Sequence, residues 1–97
     1  MKKILITEPF YNKKQLNLLK KKYLIHFLDN NASQKYFEKL NIKNKYYAIF
    51  TKLGLSINDE FLKKNYNLKY VFTPTTGNNH INFKKYQQCK IISLKNS

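Results

Sequence analysis

The sequence predicts an α/β fold, a parallel sheet with helices packed on both faces. Three observations point there. Five short apolar runs recur at intervals of about twenty residues, at 4–6, 23–28, 46–50, 69–73 and 91–93. β-branched and aromatic residues dominate them, and several are continuous rather than alternating, as in strands covered on both sides. The polar stretches between them carry helix-start signals. The order reads β-α-β-α-β-α-β-α-β, an alternation that builds parallel sheets through right-handed crossovers.

Each element has its own justification. Ile4-Leu5-Ile6 is the first strand. Asn12 is placed to cap a helix from Lys13 to Lys22, with Leu16 and Leu19 facing inward. Its lysines gather in the last turn, at the negative end of the helix dipole. The second strand, 23–28, contains His26, read as structural. Ser33 caps a short helix carrying Tyr36, Phe37 and Leu40. In the third strand the Tyr46-Tyr47 pair reads as core or domain-interface packing, not as a base-stacking platform. Asn58 caps the next helix, with Asp59 and Glu60 in its first turn and Ile57 stapled onto Leu62. Asn82 repeats that pattern after the fourth strand, with Ile81 placed to pack on Tyr86. Cys89 is a small buried or boundary residue before the last strand.

Composition narrows the function. The 97 residues make one domain, 1–97, with a formal net charge of +14 and 42% hydrophobic residues. All the cationic side chains are lysine, and the chain is rich in Asn, Ile, Tyr and Phe, the signature of an AT-rich coding sequence. Sequence-specific readers of nucleic acid favour the planar fork of arginine. The lysines are also spread along the chain. Specific nucleic-acid binding is therefore not expected. Gly54 and Gly77 are the only glycines, so neither a GxGxxG turn nor a P-loop can form. Cys89 stands alone, and His26 and His80 lie far apart, so no Cys/His metal motif exists. No apolar run approaches the length of a membrane span, and the amino-terminal run is too short for a signal peptide. A cytoplasmic protein is expected.

In an open α/β sheet, ligands meet the loops at the carboxyl ends of the strands. Here these are 7–10, 51–56 and 73–79, and the last two hold both glycines. The third is dense in hydroxyls, amides and backbone N–H groups ahead of a helix start, a good setting for a carboxylate.

At Leu68-Lys69-Tyr70-Val71-Phe72-Thr73-Pro74-Thr75-Thr76-Gly77-Asn78-Asn79-His80-Ile81-Asn82 the chain resembles the D-isomer-specific 2-hydroxyacid dehydrogenases, such as the phosphoglycerate, glycerate and D-lactate enzymes. Members show an LKxI strand, a Gly-containing turn, then D-H-I-D or D-N-I-D. A later short strand matches Lys90-Ile91-Ile92-Ser93-Leu94-Lys95. The opening strand and the third-strand loop, followed by Ile57-Asn58-Asp59-Glu60-Phe61-Leu62, fit the same pattern. The resemblance implies a flavodoxin-like, three-layer α/β/α fold with five parallel strands in the order 2-1-3-4-5.

It also implies the amino-terminal part of a substrate domain, with the NAD-binding Rossmann domain absent. The family's GxGxxG and its catalytic Arg, Glu and His have no counterpart here, so no catalytic, cofactor or metal residue is assigned. NAD or NADP is implied only for a full-length parent. The implied substrate-binding residues are Lys52, Leu53 and Gly54 in the third-strand loop and Thr75, Thr76 and Gly77 in the turn facing the cleft. Lys52 stands at the family's Arg position, and Leu53 and Leu55 at its Ser and Thr positions, where the lost hydroxyls argue against a phosphate-bearing substrate. Asn79 and Asn82 stand where Asp is usual, and His80 orders the turn. The implied partners are a small 2-hydroxy or 2-keto acid and the parent's NAD domain, with a homodimer allowed. Such a fragment or truncated product is expected to be inactive alone and to expose an apolar patch where the missing parts would pack. The competing expectation is a stand-alone basic α/β module for nucleic acid or a protein partner, to be judged by where the lysines gather.

Overall fold

The computed structural model describes residues 1–7, 13–29, 31–51, 55–73, 81–82 and 89–93. Its elements run β1 (Lys3–Ile6), α1 (Lys13–Lys20), β2 (Leu24–Phe27), α2 (Gln34–Asn44), β3 (Ala48–Phe50), β4 (Ile57–Asn58), α3 (Asp59–Lys64), β5 (Tyr70–Thr73), β6 (Ile81–Asn82) and β7 (Lys90–Ser93). Five strands form one sheet in the order β2-β1-β3-β5-β7. Every pairing is parallel. Counting only these strands gives 2-1-3-4-5, the order the sequence implies. A separate parallel pair, β4 with β6, matches Ile57 to Ile81 and Asn58 to Asn82. In the sequence both Ile-Asn dipeptides read as helix starts. Their repetition also reflects this pairing.

Two apolar layers flank the sheet, because strand residues alternate between its faces. Leu5, Ile49 and Val71 point toward α2 and α3, where they pack with Phe37, Leu62 and Leu68. Phe37 and Phe61 stack across the two helices with centroids 5.3 Å apart. Ile57 and Leu62 are both fully buried in this cluster, as the staple requires. Cys89 is buried here too, and burial pushes its thiol up to about 11, partly offset by nearby Lys69.

The other face carries Ile4, Ile6 and Ala48, with Leu16 and Leu19 of α1 half-buried against them. Beyond α1 the face is aromatic and only partly covered. Phe50 and Phe72 stack at 4.5 Å, Tyr70 lies 6.2 Å from Phe72, and Tyr47 meets Tyr70 edge-on at 5.5 Å. Ile4, Leu19, Phe50, Tyr70, Phe72 and Ile92 help to line a groove of about 300 Å³ there. This half-open aromatic face is an apolar patch on the described surface. The outer strands are also open. Phe27 of β2 is 53% exposed and Ile92 of β7 is 37% exposed. The sequence treats their apolar runs like the central ones, since a continuous run does not say whether a strand is central or at an edge.

The helices follow their caps. Ser33 Oγ accepts from Tyr36 N at 3.1 Å, and Asn58 Oδ1 accepts from Phe61 N at 2.9 Å. α1 stops at Lys20, two residues short of expectation, and its capping position 12 lies outside the described residues. α2 runs longer than the short helix expected. The side-chain amides of Asn41 and Asn44 donate back to the carbonyls of Phe37 and Leu40, at 2.7 and 2.9 Å. Bonding within the helix satisfies groups that elsewhere compete with it. Lys45 ends the helix in the left-handed conformation at φ 54°, with its N–H bonded to Asn41 O. The helix expected after Asn82, and its Ile81–Tyr86 contact, also lie outside the described residues.

His26 serves structure, as expected. Its Nδ1 lies 2.7 Å from the Tyr46 hydroxyl, and the two rings meet edge-on. Tyr46 is buried in the core, and its phenol is pushed up to about 12 by desolvation and then by Tyr36. Tyr47 points to the opposite face and stacks on Tyr23 with centroids 6.2 Å apart.

Candidate functional site

The carboxyl rim of the sheet is marked by a row of threonines. β1, β3 and β5 each end in an apolar run followed by Thr: Ile4-Leu5-Ile6-Thr7, Ala48-Ile49-Phe50-Thr51 and Tyr70-Val71-Phe72-Thr73. The register aligns Ile6 with Phe50 and Phe50 with Phe72, so the three threonines stand side by side. β7 continues the row, with Ser93 opposite Thr73. All three threonines are at most 1% exposed. The Thr7 hydroxyl and N–H both donate to Phe50 O, at 2.8 and 2.9 Å, and Thr51 N–H donates to Phe72 O at 2.9 Å. These bonds close the sheet ladder at the rim. The Thr73 hydroxyl is buried with no hydrogen-bond partner among the described residues. A buried hydroxyl without a partner costs about 1–3 kcal/mol, which sets Thr73 apart from Thr7 in the row. Sequence reasoning placed these threonines in the loops but missed the row. The repeated apolar-run-then-Thr ending was the available signal.

The flanks of the two glycine-bearing connections are brought together at both ends. They leave the sheet from neighbouring strands at Phe50 and Phe72, and they rejoin where Ile57 pairs with Ile81. A second device holds the end of the first connection. Gln34, the first residue of α2, accepts from Ser56 N–H at 2.8 Å through Oε1. Its Nε2 donates to Ser56 O at 2.9 Å and to Glu38 Oε2 at 2.9 Å. No motif marks this clamp, because it joins residues 22 apart in sequence.

The residues named as substrate-binding, Lys52, Leu53, Gly54, Thr75, Thr76 and Gly77, lie outside the described residues, as do Asn79 and His80. What the structure does place are their immediate flanks, Thr51 and Leu55 on one side and Thr73 on the other. All three are buried. Among the described rim groups, the Thr7 hydroxyl and the Thr7 and Thr51 N–H groups are held by sheet carbonyls, and the Thr73 hydroxyl is the threonine oxygen left without a partner. Among the described residues no group of three or more His, Cys, Asp or Glu gathers to hold a metal ion. No helix among them is long and apolar enough to cross a membrane.

No protein-family model matches the sequence, and no curated protein matches it in a sequence search. Solved structures do match in three dimensions. The PH0520 protein from Pyrococcus horikoshii OT3 superposes with a TM-score of 0.70 at 15% identity, over 97% of this chain and 28% of that one. The apo-structure of D-lactate dehydrogenase from Escherichia coli gives a TM-score of 0.63 at 17% identity, over 95% of this chain and 30% of that one. The Salmonella D-lactate dehydrogenase gives 0.67 at 15% identity, over 97% and 30%. The chain thus spans less than a third of each. Two of the three bear the name of an enzyme type that the 68–82 segment resembles. At these identities the likeness establishes the architecture: a parallel α/β sheet shared, over nearly all of its length, with part of two D-lactate dehydrogenases.

Proposed function

We propose that this chain is the amino-terminal part of the substrate domain of an NAD-dependent D-2-hydroxyacid dehydrogenase, and that it is inactive alone. The observation that carries this reading is the superposition of 95% of the chain on 30% of a D-lactate dehydrogenase. The 68–82 motif, read independently from the residues, names the same enzyme class.

On this reading the carboxyl rim receives the carboxylate of a small 2-hydroxy or 2-keto acid. Lys52 supplies a positive charge without the bidentate fork of an arginine. Leu53 and Gly54, with Thr75, Thr76 and Gly77, supply backbone N–H groups and hydroxyls around it. Thr51 and Thr73 anchor the two connections to the rigid sheet. Gln34 fixes the end of the first one through Ser56.

Reaction chemistry needs more than this. Hydride transfer requires a nicotinamide against the substrate's C2 carbon, an acid–base group and a cation to polarise the carbonyl. With only two glycines in the chain, a dinucleotide turn has no residues to form it, so the residues present do not fit the cofactor. NAD or NADP, the base and the arginine belong to other polypeptide.

The test combines an assay and a titration. Incubation with NADH and a panel of 2-keto acids should leave the NADH unoxidised, and turnover by this chain alone would overturn the reading. Titration with pyruvate or oxamate, followed by amide shifts, should move Thr51, Leu55 and Thr73 with affinity in the ~millimolar range of a half-site. Shifts confined to other surfaces would remove the rim from consideration.

A further inference from the structure

A second surface of the molecule carries a different chemistry. At the amino edge of the sheet, opposite the threonine rim, the backbone ladder begins at lysines. Tyr47 N–H donates to Lys3 O, Lys69 N–H to Tyr47 O, and Lys90 N–H to Lys69 O, each at 2.8 Å. Lys3 and Lys69 therefore flank Tyr47 on neighbouring strands, separated from it by one strand spacing of about 4.8 Å each. Lys45, turned by its left-handed backbone at the end of α2, joins them. Lys2, Lys3, Lys45 and Lys69 together line a hollow of about 520 Å³ whose aromatic walls are Tyr47 and Tyr66. The Lys2 ammonium sits 4.2 Å from the Tyr47 ring centre, and the Lys45 ammonium 6.0 Å from that of Tyr66. Tyr66 is 63% exposed. The described lining contains no carboxylate.

The lysine-rich composition alone accounts for scattered charge, not for this placement. A lysine after a helix end answers the helix dipole, which explains Lys45. It does not explain why Lys2, Lys3 and Lys69 share the same hollow. Four lysines line one hollow with no carboxylate in its described lining, which leaves it net positive, and a multiply charged anion would complement that charge. The hollow falls within the roughly 300–1,000 Å³ range of small-molecule sites.

We propose that this hollow binds an oligophosphate. The lysines pair with successive phosphate groups, and the exposed Tyr66 ring offers a stacking face to a nucleobase when the phosphates belong to a nucleotide. The proposal stands apart from the rim reading, since the two sites lie at opposite ends of the strands.

The experiment titrates sodium tripolyphosphate and, separately, ATP into the isotopically labelled protein at moderate salt. The expected amide shifts are confined to Lys3, Lys45, Tyr47, Tyr66 and Lys69. A Lys45→Asn/Lys69→Gln double variant keeps the left-handed turn and should bind both ligands roughly tenfold more weakly, as two partly exposed ion pairs would give. A Lys13→Gln/Lys35→Gln variant removes the same charge from the first turns of α1 and α2, at the other end of the sheet, and should bind as the parent does. Tighter binding of ATP than of tripolyphosphate assigns the site to nucleotides, and equal binding assigns it to the phosphate chain. Shifts spread over every lysine-bearing surface, or equal weakening in the two double variants, would overturn the proposal and reduce the effect to net charge.

Discussion

The side-chain amide of Gln34 holds the backbone of Ser56 by both of its polar groups, at 2.8 and 2.9 Å. It works as an added rung of sheet, supplied by a helix residue. Through it the start of α2 fixes the point where the connection after β3 returns to regular structure. Gln34→Ala should cost about 1 kcal/mol or less, because the bonds are solvent-exposed. The informative readout is local. Hydrogen exchange at the Ser56 amide should accelerate well beyond the global change, and unchanged protection there would show that the clamp is not formed in solution.

Thr73 predicts a trade between stability and binding. Its buried hydroxyl lacks a partner among the described residues. Thr73→Val keeps the shape and removes the polar atom, so it should leave stability unchanged or raise it by about 1 kcal/mol. On the proposed function, the same change should weaken 2-keto acid binding. A variant that loses stability would mean the hydroxyl is bonded after all.

Alkaline pH should unfold the chain in steps. The Cys89 thiol rises from its ordinary 9.0 to about 11 in the folded state. Between those values the unfolded chain releases the proton while the folded chain keeps it, so stability falls as pH rises. The full effect is on the order of 2–3 kcal/mol, complete near pH 11. Tyr46, raised from 10.0 to about 12, adds a second loss over the higher interval. Cys89→Ala should flatten the first slope whatever its baseline cost, as denaturation at a series of pH values would reveal.

The aromatic face predicts a surface property. Phe50 and Phe72 stack at 4.5 Å on a face that α1 covers only in part. A dye that brightens in apolar settings should bind the native protein there. Phe72→Leu should cost about 0.5–1.5 kcal/mol for the lost ring pair and reduce the dye signal. An unaffected signal would place the dye elsewhere.

Much of this architecture was legible in the residues. Each of the five sheet strands overlaps one of the five apolar runs, and Ser33 and Asn58 cap helices because their side-chain oxygens reach the amides three residues on. Other features were not legible, for physical reasons. The β4–β6 pair is two residues long, too short for any periodicity. The extent of α2 depends on Asn41 and Asn44 bonding backward within the helix, whereas asparagine in isolation argues for a turn. At the rim, the motif pointed to residues in the connections, while the structure places the threonines that anchor them. At the opposite edge, lysines far apart in sequence converge through the ladder joining Lys3, Tyr47, Lys69 and Lys90. Charge spacing along the chain does not reveal that meeting.

The hydroxyl-terminated strands have a consequence for how this sheet tolerates change. Thr7, Thr51 and Thr73 are level only because each follows an apolar run of matched phase. Inserting or deleting one residue in β1, β3 or β5 would exchange that strand's side chains between the two packed faces and move its threonine out of line. Core packing and rim chemistry are thus written in the same few letters. Drift that spares the interior keeps the polar border aligned, and an indel that breaks the border also unseats the interior.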